Sequence, residues 1–203
     1  MPSAPRLPLR DQLKYTAGRC DIFAATLEDL GIGQRVRLVT FDTAYLERLY
    51  GETVAMAPKH PADVHEAVQL SDQTFVDATG RATLDQIATS FGVDAGRLGT
   101  ALPDRPDRQR GPCPALRVLL RGLGWDNPER IPTFQEPFPT REDFAFARAA
   151  LMLEDGETEE SVLEALRDGA LHRTPHRAEA ALDRALAEPE RNRPWGPAAV
   201  NLT

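Results

Sequence analysis

Seventeen prolines and fourteen glycines are spread along 203 residues, and they interrupt the chain too often for long helices or strands. Hydrophobic residues nevertheless make up 41% of the chain, enough to build a core, so wholesale disorder is excluded. A fold that meets both conditions is assembled from many short elements. The length accommodates one large domain, or one domain with a helical extension.

Periodicity places those elements. Ile22, Phe23, Leu27 and Leu30 form an apolar stripe at helical spacing that begins near Cys20, and Gly31 stands where such a helix stops. Residues 35–41 alternate charged and apolar side chains, as a half-buried strand does. Residues 43–50 read as a short helix and 51–61 as a loop. Residues 65–70 and 74–78, joined by Ser71, Asp72 and Gln73, read as an antiparallel hairpin. Residues 83–91 follow as a helix, with Leu84, Ile87 and Ala88 on one face and Gly92 after its end.

The second half reads differently. Residues 96–114 are dense in Pro, Gly, Arg and Asp and suit a linker. A short apolar helix is expected over 115–122. Residues 124–140 carry Pro128, Pro132, Pro137 and Pro139 without periodicity and are expected to wrap over a surface. Three further helices are expected over 141–153, capped by Thr140, then over 158–167 and 177–188. The arm of residues 1–10 and the tail from residue 189 read as loose, proline-rich ends. The sequence therefore predicts an α+β protein. It has an α/β unit over 1–95, a linker over 96–114 and a helical region over 115–203 with a proline-rich tail.

Charge and motifs remove several functions. The net charge is −7, and a general nucleic-acid binder shows a basic total or a basic face. A weak basic patch over 97–130, seven arginines against four acids, reads as solvated surface. No run of 18–20 apolar residues is present to span a bilayer, and residues 1–10 lack the apolar core of a secretory signal. Cys20 and Cys113 form no disulfide framework, so the expectation is a cytoplasmic chain with free thiols. Gly31 and Gly33 follow a helix rather than a strand, and no phosphate-binding loop sequence occurs. Glu28, Glu47 and Glu66 are scattered, and the acids over 154–160 read as an interhelix loop. His172 and His176 are four apart, but Pro175 lies between them and no third ligand is evident. Neither a metal nor a cofactor is expected.

Three residues remain that could perform chemistry together. Cys20 opens a helix, where the dipole, the unpaired N–H groups and Arg19 favour thiolate, the nucleophilic form. His65 stands at the start of a strand after a turn-rich loop and could act as general base and acid. Asp77 lies twelve residues further on, flanked by Val76 and Ala78 on the next strand, where aspartate is a poor strand former. A three-residue turn would set Leu70 against Thr74, Gln69 against Phe75, and Asp77 diagonally across from His65 on the same face. A carboxylate there could orient the imidazole.

A helix-start cysteine, a strand-start histidine and an aspartate on the next strand resemble the papain-like and transglutaminase-like superfamily. The segments that carry the resemblance are Gly18 to Phe23, Val64 to Val68 and Phe75 to Gly80, within residues 12–92. It implies Cys20 as nucleophile, His65 as base and Asp77 as orienting acid. The implied fold is a helix bearing the cysteine, packed on a small antiparallel sheet. The implied activity is hydrolysis or acyl transfer at an amide or ester bond, with a protein or peptide as substrate or partner. The chain departs from the pattern at two points. Gln12 stands eight residues before Cys20, rather than the six or so at which papain-type enzymes place an oxyanion glutamine. Asp21 follows Cys20 where a tryptophan is often found, and its charge would oppose a thiolate. The alternative is a non-catalytic binding or regulatory protein that keeps the fold. The C-terminal helices bear a faint likeness to helical units after replication-initiator or primase domains. That likeness points to an accessory protein of a plasmid or phage replication or defence system.

Overall fold

A computed structural model describes residues 2–16, 19–50, 61–103, 110–135, 141–167 and 175–188. The elements run α1 (Leu9–Thr16), α2 (Cys20–Asp29), β1 (Gln34–Thr40), α3 (Thr43–Tyr50), β2 (Ala62–Gln69), β3 (Phe75–Asp77), β4 (Gly80–Ala82) and α4 (Leu84–Phe91). After a 3-10 turn at Ala95–Arg97 come β5 (Leu98–Ala101), α5 (Pro114–Leu123), α6 (Arg141–Glu154), α7 (Glu159–Arg167) and α8 (Pro175–Ala187). The five strands form one antiparallel sheet in the order β4-β3-β2-β1-β5. The chain is thus α+β, with the Cys20 helix packed on an antiparallel sheet.

Both faces of the sheet are covered. On one side α2 inserts Phe23, Ala24 and Leu27 against Val68 of β2 and Val76 of β3. Helix α2 ends where Gly31 takes a left-handed conformation (φ 76°), with its N–H on Glu28 O at 2.9 Å and that of Ile32 on Leu27 O at 3.2 Å. Gly33 then passes so close to β2 that a Cβ there would lie 2.4 Å from Gln69 O, and no side chain could occupy the position without displacing β1. On the other side Val36, Leu38, Ala67 and Phe75 meet Tyr45 and Leu46 of α3 and Ile87 and Ala88 of α4. Helix α4 starts on a reciprocal cap: Thr83 Oγ1 accepts from the Gln86 N–H, and the Gln86 side chain accepts from the Thr83 N–H.

Helices α6, α7 and α8 form a separate small core. Phe146, Ala149 and Ala150 pack on Val162, Leu166, Ala178, Ala181 and Leu182. They join the rest through α1, whose Leu13 is fully buried with Ala147 and Leu151 of α6.

The structure departs from the sequence reading at five places. The arm before α1 is anchored, not loose. Ala4 N–H donates to Arg130 O at 2.6 Å, Pro5 O accepts from the Trp125 indole at 2.9 Å, and Arg6 donates to Thr79 O and Thr133 O at 3.2 and 2.7 Å. Prolines lack an N–H, but their carbonyls still accept, and the arm uses them so. Helix α1 has no counterpart in the sequence reading. Residues 98–101, within the expected linker, form β5 along the free edge of β1, with Leu38 opposite Thr100. Residues 131–134 do not simply wrap: Arg81 N–H donates to Pro132 O at 2.8 Å and Phe134 N–H to Arg81 O at 2.7 Å, which extends the sheet past β4. Leu116, Leu120, Trp125 and Ile131 share the core of α2, so the α+β core continues well beyond residue 95. The expected loop at 51–61 up to residue 60, the Thr140 cap and the tail from 189 lie outside the described residues.

Candidate active site

Cys20 is the first residue of α2. Arg19 before it supplies no side-chain cap, so the thiol stands at the positive end of the helix dipole, where Asp21 is the acid of the first turn.

His65 sits on β2 beside an irregularity in the pairing with β1. Leu38 pairs with His65, but Val39 pairs with Asp63, so Val64 is the extra residue of a bulge. Bulges bend a strand and re-aim the neighbouring side chain. The imidazole is buried, with 4% of the residue exposed, and its ring centroid lies 4.9 Å from that of Phe91 at the end of α4.

Asp77 is the last residue of β3. The turn at 71–73 closes with Leu70 N–H on Thr74 O at 2.8 Å, and Gln73 takes the left-handed conformation (φ 66°). Gln69 then faces Phe75 and Val68 faces Val76. That register puts Asp77 diagonally across from His65, as the three-residue turn predicts. Asp77 Oδ2 lies 3.0 Å from His65 Nε2. Its other oxygen, Oδ1, accepts from the Thr79 N–H at 2.8 Å and the Thr79 hydroxyl at 2.5 Å. The buried carboxylate is held at both ends. Burial alone would raise its pKa, but His65 and the two Thr79 donors hold it below the ordinary carboxylate value.

The sulfur completes the arrangement. With Nε2 of His65 engaged by Asp77, Nδ1 is the ring nitrogen left for Cys20, and each side chain favours the charged form of the other. Strand β3 ends at Asp77, which leaves the His65–Glu66 stretch of β2 without a partner strand on that side. There the Glu66 N–H is among the groups that favour the Cys20 thiolate. Burial opposes thiolate, and so does the Glu66 carboxylate. The His65 charge, its hydrogen bond and the Glu66 N–H outweigh them, so the Cys20 pKa lies below its ordinary 9.0. Burial likewise opposes imidazolium, but the Cys20 thiolate and Asp77 push the His65 pKa up to about 10. The two shifts describe one ion pair, since each charge is stable only because the other is there.

The acid beside the nucleophile is not a bare charge. Arg110 grips Asp21 with a fork: Nε to Oδ2 at 2.9 Å, Nη2 to Oδ1 at 2.7 Å, and its own backbone N–H to Oδ2 at 3.2 Å. Burial opposes the Asp21 charge, but these bonds and the Ile22 N–H keep its pKa low. Glu66 is matched in the same way by Arg35, whose Nε lies 2.7 Å from Oε2.

All three residues singled out in the sequence therefore meet at one point. Gln12 does not join them. It is buried in α1 with its amide donating to Leu7 O at 2.7 Å, so its nitrogen serves the arm. Cys113 caps α5, and its N–H bonds Thr26 Oγ1 at 3.0 Å. His172 and the His176 side chain lie outside the described residues, among which no group of His, Cys, Asp or Glu is placed to hold a metal ion. In the basic stretch, Arg97, Arg110 and Arg117 are paired with Asp94, Asp21 and Asp29. Sequence reasoning missed Thr79, Arg110 and the Glu66 N–H. The Asp77-Ala78-Thr79 spacing is a local signal for the first, since such acids accept from the second residue on. No local signal exists for Arg110, 89 residues from its partner.

The chain matches no family model, and no curated protein or solved structure shows significant similarity to it.

Proposed function

We propose that this protein is a papain-like thiol hydrolase or acyltransferase that attacks an amide or ester carbonyl through Cys20, His65 and Asp77. One observation carries the reading: His65, whose charge favours the Cys20 thiolate, has its Nε2 held 3.0 Å from a buried carboxylate. A nucleophile, a base and an orienting third group in that order are the requirements of covalent acyl transfer.

The reaction follows from the protonation states. The Cys20 thiolate adds to the carbonyl carbon, a C–S bond forms, and the π electrons move to oxygen. The Cys20 backbone N–H at the start of α2 supplies one donor to that oxyanion. His65, as imidazolium, gives its proton to the leaving nitrogen or oxygen as that bond breaks, which leaves a thioester on Cys20. Neutral His65 then takes a proton from water, or from an acceptor amine or alcohol, which attacks the thioester and releases the sulfur as thiolate. Asp77 keeps the ring in the tautomer that points Nδ1 at the sulfur and stabilises the imidazolium. No step calls for a cofactor. A protein or peptide is the proposed substrate, and two free thiols suit the reducing cytoplasm.

The test is a thiol-reactive probe at neutral pH on wild type, Cys20→Ala and His65→Ala, with labelling sites read by mass spectrometry. Cys20 is expected to label at least about tenfold faster than Cys113 and to lose that advantage in His65→Ala. Equal rates at the two cysteines in wild type would sink the reading.

A non-catalytic binding or regulatory role is the second reading. It is favoured by Gln12, which is committed to Leu7 O and supplies no oxyanion donor. It requires that Cys20→Ala leave the cellular effect of the protein intact.

A further inference from the structure

Each acid flanking the Cys20 sulfur has its own guanidinium. Glu66, next to His65 on β2, is bound by the buried Arg35 of β1. Asp21, next to Cys20 on α2, is bound by Arg110 from the segment before α5. Among the described residues, these groups, with His65, Asp77 at the end of β3 and Arg19 before the helix, are charges that bear on the thiol. Arg110 is bound to the carboxylate of the residue after Cys20, and its charge acts on Cys20 and Glu66 as well as on Asp21. Without it, α2 would carry an unmatched carboxylate one residue from the nucleophile, in the first helical turn, where a negative charge also offsets the dipole that favours thiolate.

We propose that Arg110 is a positioning residue of this site, keeping Cys20 nucleophilic by cancelling the Asp21 carboxylate beside it. The inference rests on the reading of Cys20 as the nucleophile. It deepens that reading by making reactivity depend on a contact between α2 and a segment 89 residues away. A merely structural role for the pair would tie α2 to the segment before α5 and leave the thiol alone.

Charge and scaffold roles separate in a rescue series. Alkylation of Cys20 by iodoacetamide is followed across pH in the full chain by mass spectrometry of the Cys20 peptide. The variants are Arg110→Gln, Arg110→Lys, Asp21→Asn and the double variant Asp21→Asn with Arg110→Gln, each checked for fold by circular dichroism. The Arg110 side chain is half exposed (50%), so its substitutions leave the core untouched, and Asp21→Asn keeps the shape of the buried side chain. Arg110→Gln is expected to raise the alkylation midpoint by about one pH unit, a roughly tenfold loss of thiolate below it. Arg110→Lys keeps the charge and stays within about threefold of wild type. The double variant, which has no carboxylate left to cancel, returns to within about threefold of wild type. An Arg110→Gln midpoint equal to that of wild type overturns the inference while the nucleophile assignment stands. A double variant as slow as Arg110→Gln also overturns it, because charge would not be what Arg110 supplies. A wild-type midpoint at the ordinary thiol value of 9.0 overturns the nucleophile assignment, and the role of Arg110 with it.

Discussion

Asp77 Oδ2 lies 3.0 Å from His65 Nε2, and both side chains are buried out of reach of bulk solvent. Thr79 saturates the other oxygen with two donors. This asymmetry decides what an amide would do at residue 77. In Asp77→Asn the Thr79 donors hold the amide oxygen and turn its NH2 toward His65. Nε2 must then accept, the ring proton moves to Nδ1, and His65 can no longer take a proton from Cys20. Alkylation of Cys20 at pH 7 is expected to fall at least tenfold, and turnover of any substrate about 10²–10⁴-fold. Labelling as fast as wild type would remove Asp77 from the site.

Thr79 acts one step further out. Thr79→Val removes the hydroxyl bond to Oδ1 and keeps the backbone one. A single hydrogen bond to a buried charged group contributes about 1.5–3 kcal/mol. The carboxylate is then freer to turn from His65, and Cys20 alkylation is expected to fall by less than in Asp77→Asn. Thr79→Ser retains the hydroxyl and is expected to label within about twofold of wild type. Both substitutions are checked by the same pH-resolved alkylation.

How far the site could be read from the sequence followed the range of each interaction. A three-residue turn fixes a register, so the diagonal from His65 to Asp77 can be counted along the chain from residue numbers alone. The helix-start position of Cys20 is likewise local, set by the spacing of Phe23 and Leu27. The Arg110–Asp21 pair is 89 residues long-range and follows no periodicity. The bulge at Val64 shows only in pairing, because an extra residue looks like any other until its partner strand is known. Strand β5 is four residues with a glycine and a threonine at a sheet edge, too short for alternation to register. The arm of residues 2–7 was hidden because its anchors are backbone carbonyls, which every residue has.

Trp125 ties that arm to the nucleophile's helix. It is fully buried, its indole N–H donates to Pro5 O at 2.9 Å, and its ring meets Phe23 edge-on at 6.1 Å. Phe23 lies one turn after Cys20. Trp125→Phe leaves a void and removes the only side-chain donor the position has. The expected loss is about 2–4 kcal/mol in urea unfolding, with faster amide exchange at Ala4. A loss under about 1 kcal/mol would mean that the arm and α2 are held independently.

The thiolate–imidazolium pair also shapes the pH dependence of stability. Taken alone, His65, raised from 6.5 to about 10, contributes stability that is full below pH 6.5 and lost as pH rises through 10. Cys20 is lowered from 9.0, so its contribution is full above pH 9.0 and lost as pH falls through its folded value. Below pH 9.0, and above both 6.5 and the folded Cys20 value, the two cancel. The folded pair binds one proton, on the imidazole, and the unfolded chain also binds one, on the thiol, so the slope from this pair is zero. Above pH 9.0 the unfolded thiol loses its proton while folded His65 keeps one, and stability falls as pH rises. The stability difference between wild type and the double variant Cys20→Ser with His65→Gln removes the titrating groups that do not touch the pair, and the alkaline side lies far from the carboxylate range of Asp77. Measured by urea unfolding at half-unit steps, that difference is expected to decline as pH rises from 9.0 to 10. A difference that stays level over that range would mean that folded His65 keeps no proton there.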